Sequence, residues 1–408
     1  APPIFDSDPN HIWNGTFECL FVRQSSGGKH FGADVVDPLL WADTRHLLTG
    51  ASHRQALGCL DEFLKTHAES KVHDPVKRAV FQHDLWAVFD WVATGDNFPK
   101  RRSELETRLA RVIRRVALTP EEVAALPDNY RDAIVSERFP TAYDSHSPLR
   151  PFLPPDLLRP DGAWLCLSAH SDEPTANEHF SGRSRFLIFI QLPGGREVTK
   201  AYVRKFRSWS APLFLNDAQG HPYLLNLSLP QFPKGPQVLL LRQAIVINAQ
   251  GNLVPTTMTE SVQIRAYHSI TPGSNYTHYT NGPSSHDQDF FEFRMRRPEL
   301  FTHPSGGLIA VQPGEKEYAT FNPHGKDAFE SASPFNEEGV VLERCRACHS
   351  DSGIHSVESR TQWITGSQWV DQEDSDDPIA WETMVTLARK QRQPEFTLLR
   401  RLWRSTPK

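Results

Sequence analysis

Residues 237–268 read QVLLLRQAIVINAQGNLVPTTMTESVQIRAYH, and this stretch decides the fold. The apolar run from Gln237 to Asn248 and the run from Leu253 to His268 flank Ala249-Gln250-Gly251-Asn252. Two strand-length runs around a short Gly-Asn turn spell an antiparallel hairpin. In the second run Val262, Ile264 and Ala266 alternate with polar neighbours, as in a strand with one covered face. Working outward, Arg185 to Leu192 is a near-continuous apolar run stopped by Pro193-Gly194-Gly195, and Phe290 to Met295 and Leu308 to Val311 are further strand candidates. Arg196–Trp209 and Pro298–Phe301 read as helices inserted between them. The centre of the chain is therefore expected to be one mostly antiparallel sheet with helices packed on it.

The region before it, residues 1–140, reads as helix. Asp74-Pro75 is a start signal, with an acidic N-cap and Pro at the first helical position. Val76, Val80, Phe81, Leu85, Val88, Phe89 and Val92 follow at helical spacing. Ser52 to Ser70 and Arg101 to Leu118 repeat the pattern, and Thr119-Pro120-Glu121-Glu122 caps another helix. His83 reads as a helix-surface or half-buried side chain. Residues 141–183, rich in Pro, Asp, Ser and His, read as a connection. Beyond residue 333 a short helix is expected over Asn336–Cys345, then an acidic loop, then helices over Pro378–Lys390 and Phe396–Trp403. The expected class is α+β, in three parts: a helical region (1–140), a β-rich domain (141–332) and a small helical segment (333–408) that needs a staple to fold.

Composition excludes several functions. The 408 residues carry a formal charge of −5, so no basic excess points to nucleic acid. The longest apolar runs are strand-sized, well short of the roughly 18 residues of a membrane span. The start at Ala1-Pro2-Pro3 resembles the product of an export-signal cleavage, which leads to an expectation of a periplasmic or extracellular protein. Five Cys do not make a disulfide framework. Cys19 and Cys59 are read either as a bridge or as two buried free thiols.

Cys345-Arg346-Ala347-Cys348-His349 is the segment that carries chemistry. C-x-x-C-H is the pattern for covalent haem c attachment. Each thiol adds across one porphyrin vinyl group, and the adjacent His arrives under the iron as a neutral imidazole. A zinc half-site would need two more ligands, of which only His355 is at short spacing, and a redox disulfide would need a βαβ setting. No Walker, nucleophile-elbow, H-E-x-x-H or dinucleotide pattern occurs.

The motif, with a helix before it and another at Trp381–Lys390, resembles the haem-attachment segment of monohaem c-type cytochromes, over residues 335–408 only. The longer stretch Cys345–Val357 loosely resembles exported bacterial proteins of unassigned activity, and implies no reaction. The cytochrome resemblance implies one haem c, held by Cys345, Cys348 and His349, with a Met as the sixth iron ligand. Met384 is the one Met after the motif, although its setting reads as helix where the family uses a loop. Met258, Met295, a His from the β-rich domain, or an open position are the alternatives. His355 is too close in sequence to cross to the other haem face.

Three functions follow from that choice. A filled iron transfers single electrons to or from another redox protein or cytochrome complex, the expected role; an open iron makes a peroxidase- or oxygenase-like enzyme. The third is a structural or interaction protein. Trp363, Trp369 and Trp381 are expected to exclude water from the haem. His268, His278 and His286, with Asp287 and Asp289, form the best non-haem cluster, read as a polar loop before a site.

Overall fold

The computed structural model describes residues 3–24, 28, 30–36, 46–95, 97–169, 173–176, 179, 182–209, 211, 214–216, 222–270, 287–302, 306–317, 339–349, 353–357, 369–370 and 377–405. The chain opens with α1 (Ile12–Phe21), the small ladder β1 (Arg23–Gln24) and β2 (His30–Phe31), then α2 (Gly50–Lys65), α3 (Pro75–Ala93), α4 (Pro99–Arg115), α5 (Pro120–Ala124) and α6 (Asn129–Val135). The start signals behave as read. Asp74 accepts from the amides of Val76 and Lys77 ahead of α3, and Thr119 and Glu122 close a reciprocal capping box on α5.

The sheet follows: β3 (Leu165–Ala169), β4 (Ser184–Gln191), α7 (Arg196–Arg207), the ladder β5 (Phe214–Asn216) and β6 (Pro222–Leu225), β7 (Gln237–Ile247), β8 (Leu253–Tyr267), β9 (Gln288–Met295), α8 (Arg297–Thr302) and β10 (Leu308–Ala310). The tail carries β11 (Lys316–Glu317), β12 (Gly339–Val340), α9 (Val341–Cys348), β13 (Trp369–Val370), α10 (Pro378–Arg392) and α11 (Pro394–Ser405). The main sheet runs β10-β9-β8-β7-β4-β3-β13 and every pairing in it is antiparallel. The α+β class is thus met, with the 237–268 hairpin at the centre of the sheet.

Strand alternation gives the sheet two unlike faces. The back face carries Leu187, Phe189, Leu239, Leu241, Val262, Ile264, Phe291 and Phe293 in one cluster with Phe152 and Trp164. The front face carries Ile190, Val238 and Tyr267, which pack with Tyr202, Val203 and Phe206 of α7 and with Ile354. Register confirms the assignment, since Ile190 pairs with Val238, Val238 with Arg265 and Arg265 with Phe290.

α3 is buried nearly all round, so it acts as a central post and not as an amphipathic surface helix. Its polar side chains are each engaged. Gln82 exchanges two hydrogen bonds with the backbone of Ile247. Asp84 pairs with Arg297, and Asp90 with Arg183 and Lys390. His83 is buried at 1% exposure, with Nε2 3.1 Å from both the Arg183 carbonyl and Glu260. This corrects the expectation of a helix-surface or half-buried position.

Two further expectations change. The 141–183 connection contains β3, because Leu165, Cys166 and Leu167 are apolar enough to pair with β4. Among the described residues, the tail shows no core of its own around the motif. Phe396, Leu399 and Trp403 of α11 share a core with Leu85 and Trp86 of α3, Leu105 and Leu109 of α4, and Ile245 and Ile247 of β7. Among the described residues no helix is long and apolar enough to cross a membrane.

Candidate haem-attachment site

The motif sits where α9 ends. Cys345 and Cys348 belong to the last turn of the helix, where a spacing of three places two positions on one side. Their side chains lie outside the described set. His349 follows directly, and its carbonyl accepts a hydrogen bond from Gln288 Nε2 at 2.7 Å. Arg346 stacks over Phe290, its guanidinium carbon 5.4 Å from the ring centre. Gln288 and Phe290 belong to the front face of β9, so α9 and the motif are held against that face.

The orientation of the His349 ring is set by the turn at 353–357. Its Nδ1 lies 2.7 Å from the carbonyl oxygen of Ser356. A carbonyl only accepts, so Nδ1 carries the proton and Nε2 presents its lone pair. Three contacts hold this turn in place. Arg265 Nη1 donates to it at 2.7 Å, Tyr267 Oη bonds Ser356 Oγ at 2.6 Å, and Ile354 N donates to Gln231 Oε1 at 2.8 Å. Gly353 makes the turn possible. It adopts φ +55°, and a Cβ there would run into the Gln231 amide.

Opposite His349 stands His179. The two rings are nearly parallel, at 13°, with centres 6.1 Å apart. His179 also stacks on Phe186 of the front face, at 6.3 Å and 29°. Burial pushes its imidazole down to about 4, and Arg265 and Arg242 push in the same direction. His349 is held well below the usual histidine range, first by burial and then by Arg265 and His179, against the opposing effect of the Ser356 bond. Both shifts run toward the neutral ring, the form in which an imidazole can ligate a metal.

The other expected site residues fall elsewhere. Met384 lies on α10, which packs on the back of the sheet: Ile379 joins the back-face cluster, and Arg185 donates to Thr383 at 2.9 Å. Met384 itself is 51% exposed. The structure does not bring Met384 and His349 together: α10 lies on the back of the sheet and the motif on its front face. Met295 is buried on the back face and accepts from Asn129 Nδ2 at 3.3 Å, while Met258 is buried with Ala79 and Leu118. Trp381 is partly exposed on α10, not beside the motif. Trp363 and the side chain of Trp369 lie outside the described set.

His268 comes within 4.0 Å of Asp289, and Asp289 accepts from Tyr143 at 2.5 Å. His278 and His286 lie outside the described residues. Among the described residues no three His, Cys, Asp or Glu gather as a metal site. Cys19 and Cys59 are free thiols in contact through a hydrogen bond.

No family model, curated protein or solved structure matches this chain. The site must be read from its own geometry. His179 is the residue that sequence reasoning missed by name. Its one prior signal was the His content of the 141–183 segment and the allowance for a His from the β-rich domain.

Proposed function

We propose that the chain is an exported c-type haem protein carrying one covalent haem, and that it passes single electrons to or from another redox protein. The observation that carries this reading is the hydrogen bond from His349 Nδ1 to the Ser356 carbonyl. It fixes the tautomer of the motif histidine and directs Nε2 away from the protein hydrogen bond, as axial ligation requires. The residues present fit the group. Cys345 and Cys348 would hold it by adding S–H across two vinyl C=C bonds, sulfur to one carbon and hydrogen to the other, with no net oxidation.

When bound, the haem supplies an iron that cycles between ferric and ferrous. The protein supplies the rest. Burial and the nearby positive charge of Arg265 disfavour a charged His349, while Phe186 stacks on His179 and Phe290 carries Arg346. A half-buried cation such as Arg265 would favour the ferrous state. The electron donor or acceptor is a second redox protein or cytochrome complex. An exported location, periplasmic or extracellular, agrees with a cofactor that is attached outside the cytoplasm and cannot diffuse away.

The test uses the full chain produced in a host with haem c maturation machinery. A haem stain on a denaturing gel and an intact mass one haem above the apoprotein are expected. Replacing Cys345 and Cys348 together by Ala should abolish both signals. A wild-type chain without covalent haem overturns the reading.

A further inference from the structure

We infer that His179 would be the second protein ligand of the iron beside His349, so that two imidazoles would hold the haem and leave no position open. The inference rests on the haem reading above and adds to it the identity of the sixth ligand. Metal–imidazole bonds are about 2 Å, and a ring centre sits roughly 1 Å behind its bonding nitrogen, so two trans ligands have ring centres about 6 Å apart. The observed separation is 6.1 Å with the planes 13° from parallel.

Elimination runs the same way. The chain has three methionines, and none is near the motif: Met258 and Met295 are buried in other clusters, and Met384 is exposed across the sheet. No methionine thioether is placed beside His349. The scaffold around His179 combines an aromatic ring with a paired charge. Phe186 lies along its ring, and Phe186 is in turn covered by the Arg242 guanidinium, 5.5 Å from the ring centre. Arg242 is pinned by Glu260, 3.0 Å away. The ring that would face the iron is thus backed by β4 and β7, while His349 arrives on α9 from the other side.

A closed iron has consequences. Exogenous ligands have no vacant position, which favours electron transfer over peroxidase or oxygenase chemistry. The potential is also lower than a Met/His iron would have, since Met ligation raises it.

The experiment compares wild type, His179→Ala, His179→Met and Met384→Ala, all as covalently haem-loaded full chains. Wild type should be low-spin in both oxidation states, with a bis-imidazole electron paramagnetic resonance signature and no CO uptake. His179→Ala should keep its haem stain but become high-spin and bind CO stoichiometrically, and added imidazole should restore the low-spin spectrum. His179→Met should shift the midpoint potential upward, and Met384→Ala should match wild type. A wild-type spectrum showing a sulfur ligand or a high-spin iron overturns the inference without need of any variant. Covalent haem with an unchanged spectrum in His179→Ala overturns it too, and leaves two imidazoles that merely pack together. Absence of covalent haem in the wild type overturns the underlying haem reading as well.

Discussion

His349 and Ser356 are joined by a 2.7 Å hydrogen bond that closes the chain on itself just after the motif. The bond matters because C-x-x-C-H alone places a histidine at the end of a helix without specifying how its ring is turned. Ser356 does that, and Ser356 is positioned by the front face of the sheet through Arg265 and Tyr267. The sheet thereby orients a histidine that arrives on a separate helix.

Gly353→Ala should disturb this relay without removing the haem. The left-handed backbone costs a non-glycine residue about 1–2 kcal/mol, and the new methyl displaces Gln231 from the Ile354 amide. The expected result is a lowered Tm with covalent haem retained and a broadened low-spin resonance signal. An unaltered signal would mean that the turn does not orient His349.

Trp403→Ala should destabilise the whole protein by about 3–5 kcal/mol, the usual loss for a buried Trp. Because Trp403 shares its core with α3 and α4, unfolding should be one transition, seen alike by far-ultraviolet circular dichroism and haem absorbance. An early, separate melting of the last 75 or so residues is what an independent haem segment would give, and would refute the shared core.

The contrast between what could and could not be read in advance has a physical cause. The 237–268 hairpin and the caps at Asp74 and Thr119 depend on neighbours within a few residues, so spacing reveals them. His83 was misplaced because amphipathic reasoning assumes one wet face, and α3 has none. Met384 had a suitable distance from the motif along the chain, yet the register of α10 turns it to solvent. His179 meets His349 across 170 positions, through a sheet whose strand order local patterns do not encode.

Arg297→Met should cost about 3–5 kcal/mol in urea unfolding, since it leaves Asp84 buried without its partner. Arg297 also donates to the carbonyls of Gly32, Ala33 and Val35, so the same change loosens the 32–35 segment, which stays tied by the Arg297 amide and by Arg296. Combining it with Asp84→Leu should recover part of the loss. Equal or greater instability in the double variant would show that the carbonyl contacts, not the ion pair, dominate.

Cys59 should alkylate faster than an ordinary thiol at neutral pH. The hydrogen bond from Cys19 lowers its pKa to about 7, against the opposing effect of burial, while the same bond and burial push Cys19 up. The sign is that the Cys59 thiolate is present above about pH 7 and lost below it. At pH 7 roughly half is thiolate, against a few per cent for a free thiol, though weaker nucleophilicity trims the gain to a few-fold. Iodoacetamide labelling read by peptide mass should show a midpoint near 7 at Cys59 and little label at Cys19. A midpoint near 8.5 at Cys59 would show that the two thiols do not interact.

Arg265→Gln should lower the midpoint potential of the haem-loaded protein. Arg265 is the charge that acts on both His349 and His179, and it depresses the protonation of each. A positive charge at this place favours the ferrous iron, which carries one positive charge fewer than the ferric form, so its removal favours oxidation. One charge several ångströms away in a protein interior corresponds to roughly tens of millivolts. The variant also loses the donor to the Ser356 carbonyl, so Tyr267→Phe serves as a control that loosens the same turn while keeping the charge. A spectroelectrochemical titration should show a downward shift in Arg265→Gln well beyond that in Tyr267→Phe. Equal shifts in the two would assign the effect to the turn and remove the electrostatic role of Arg265.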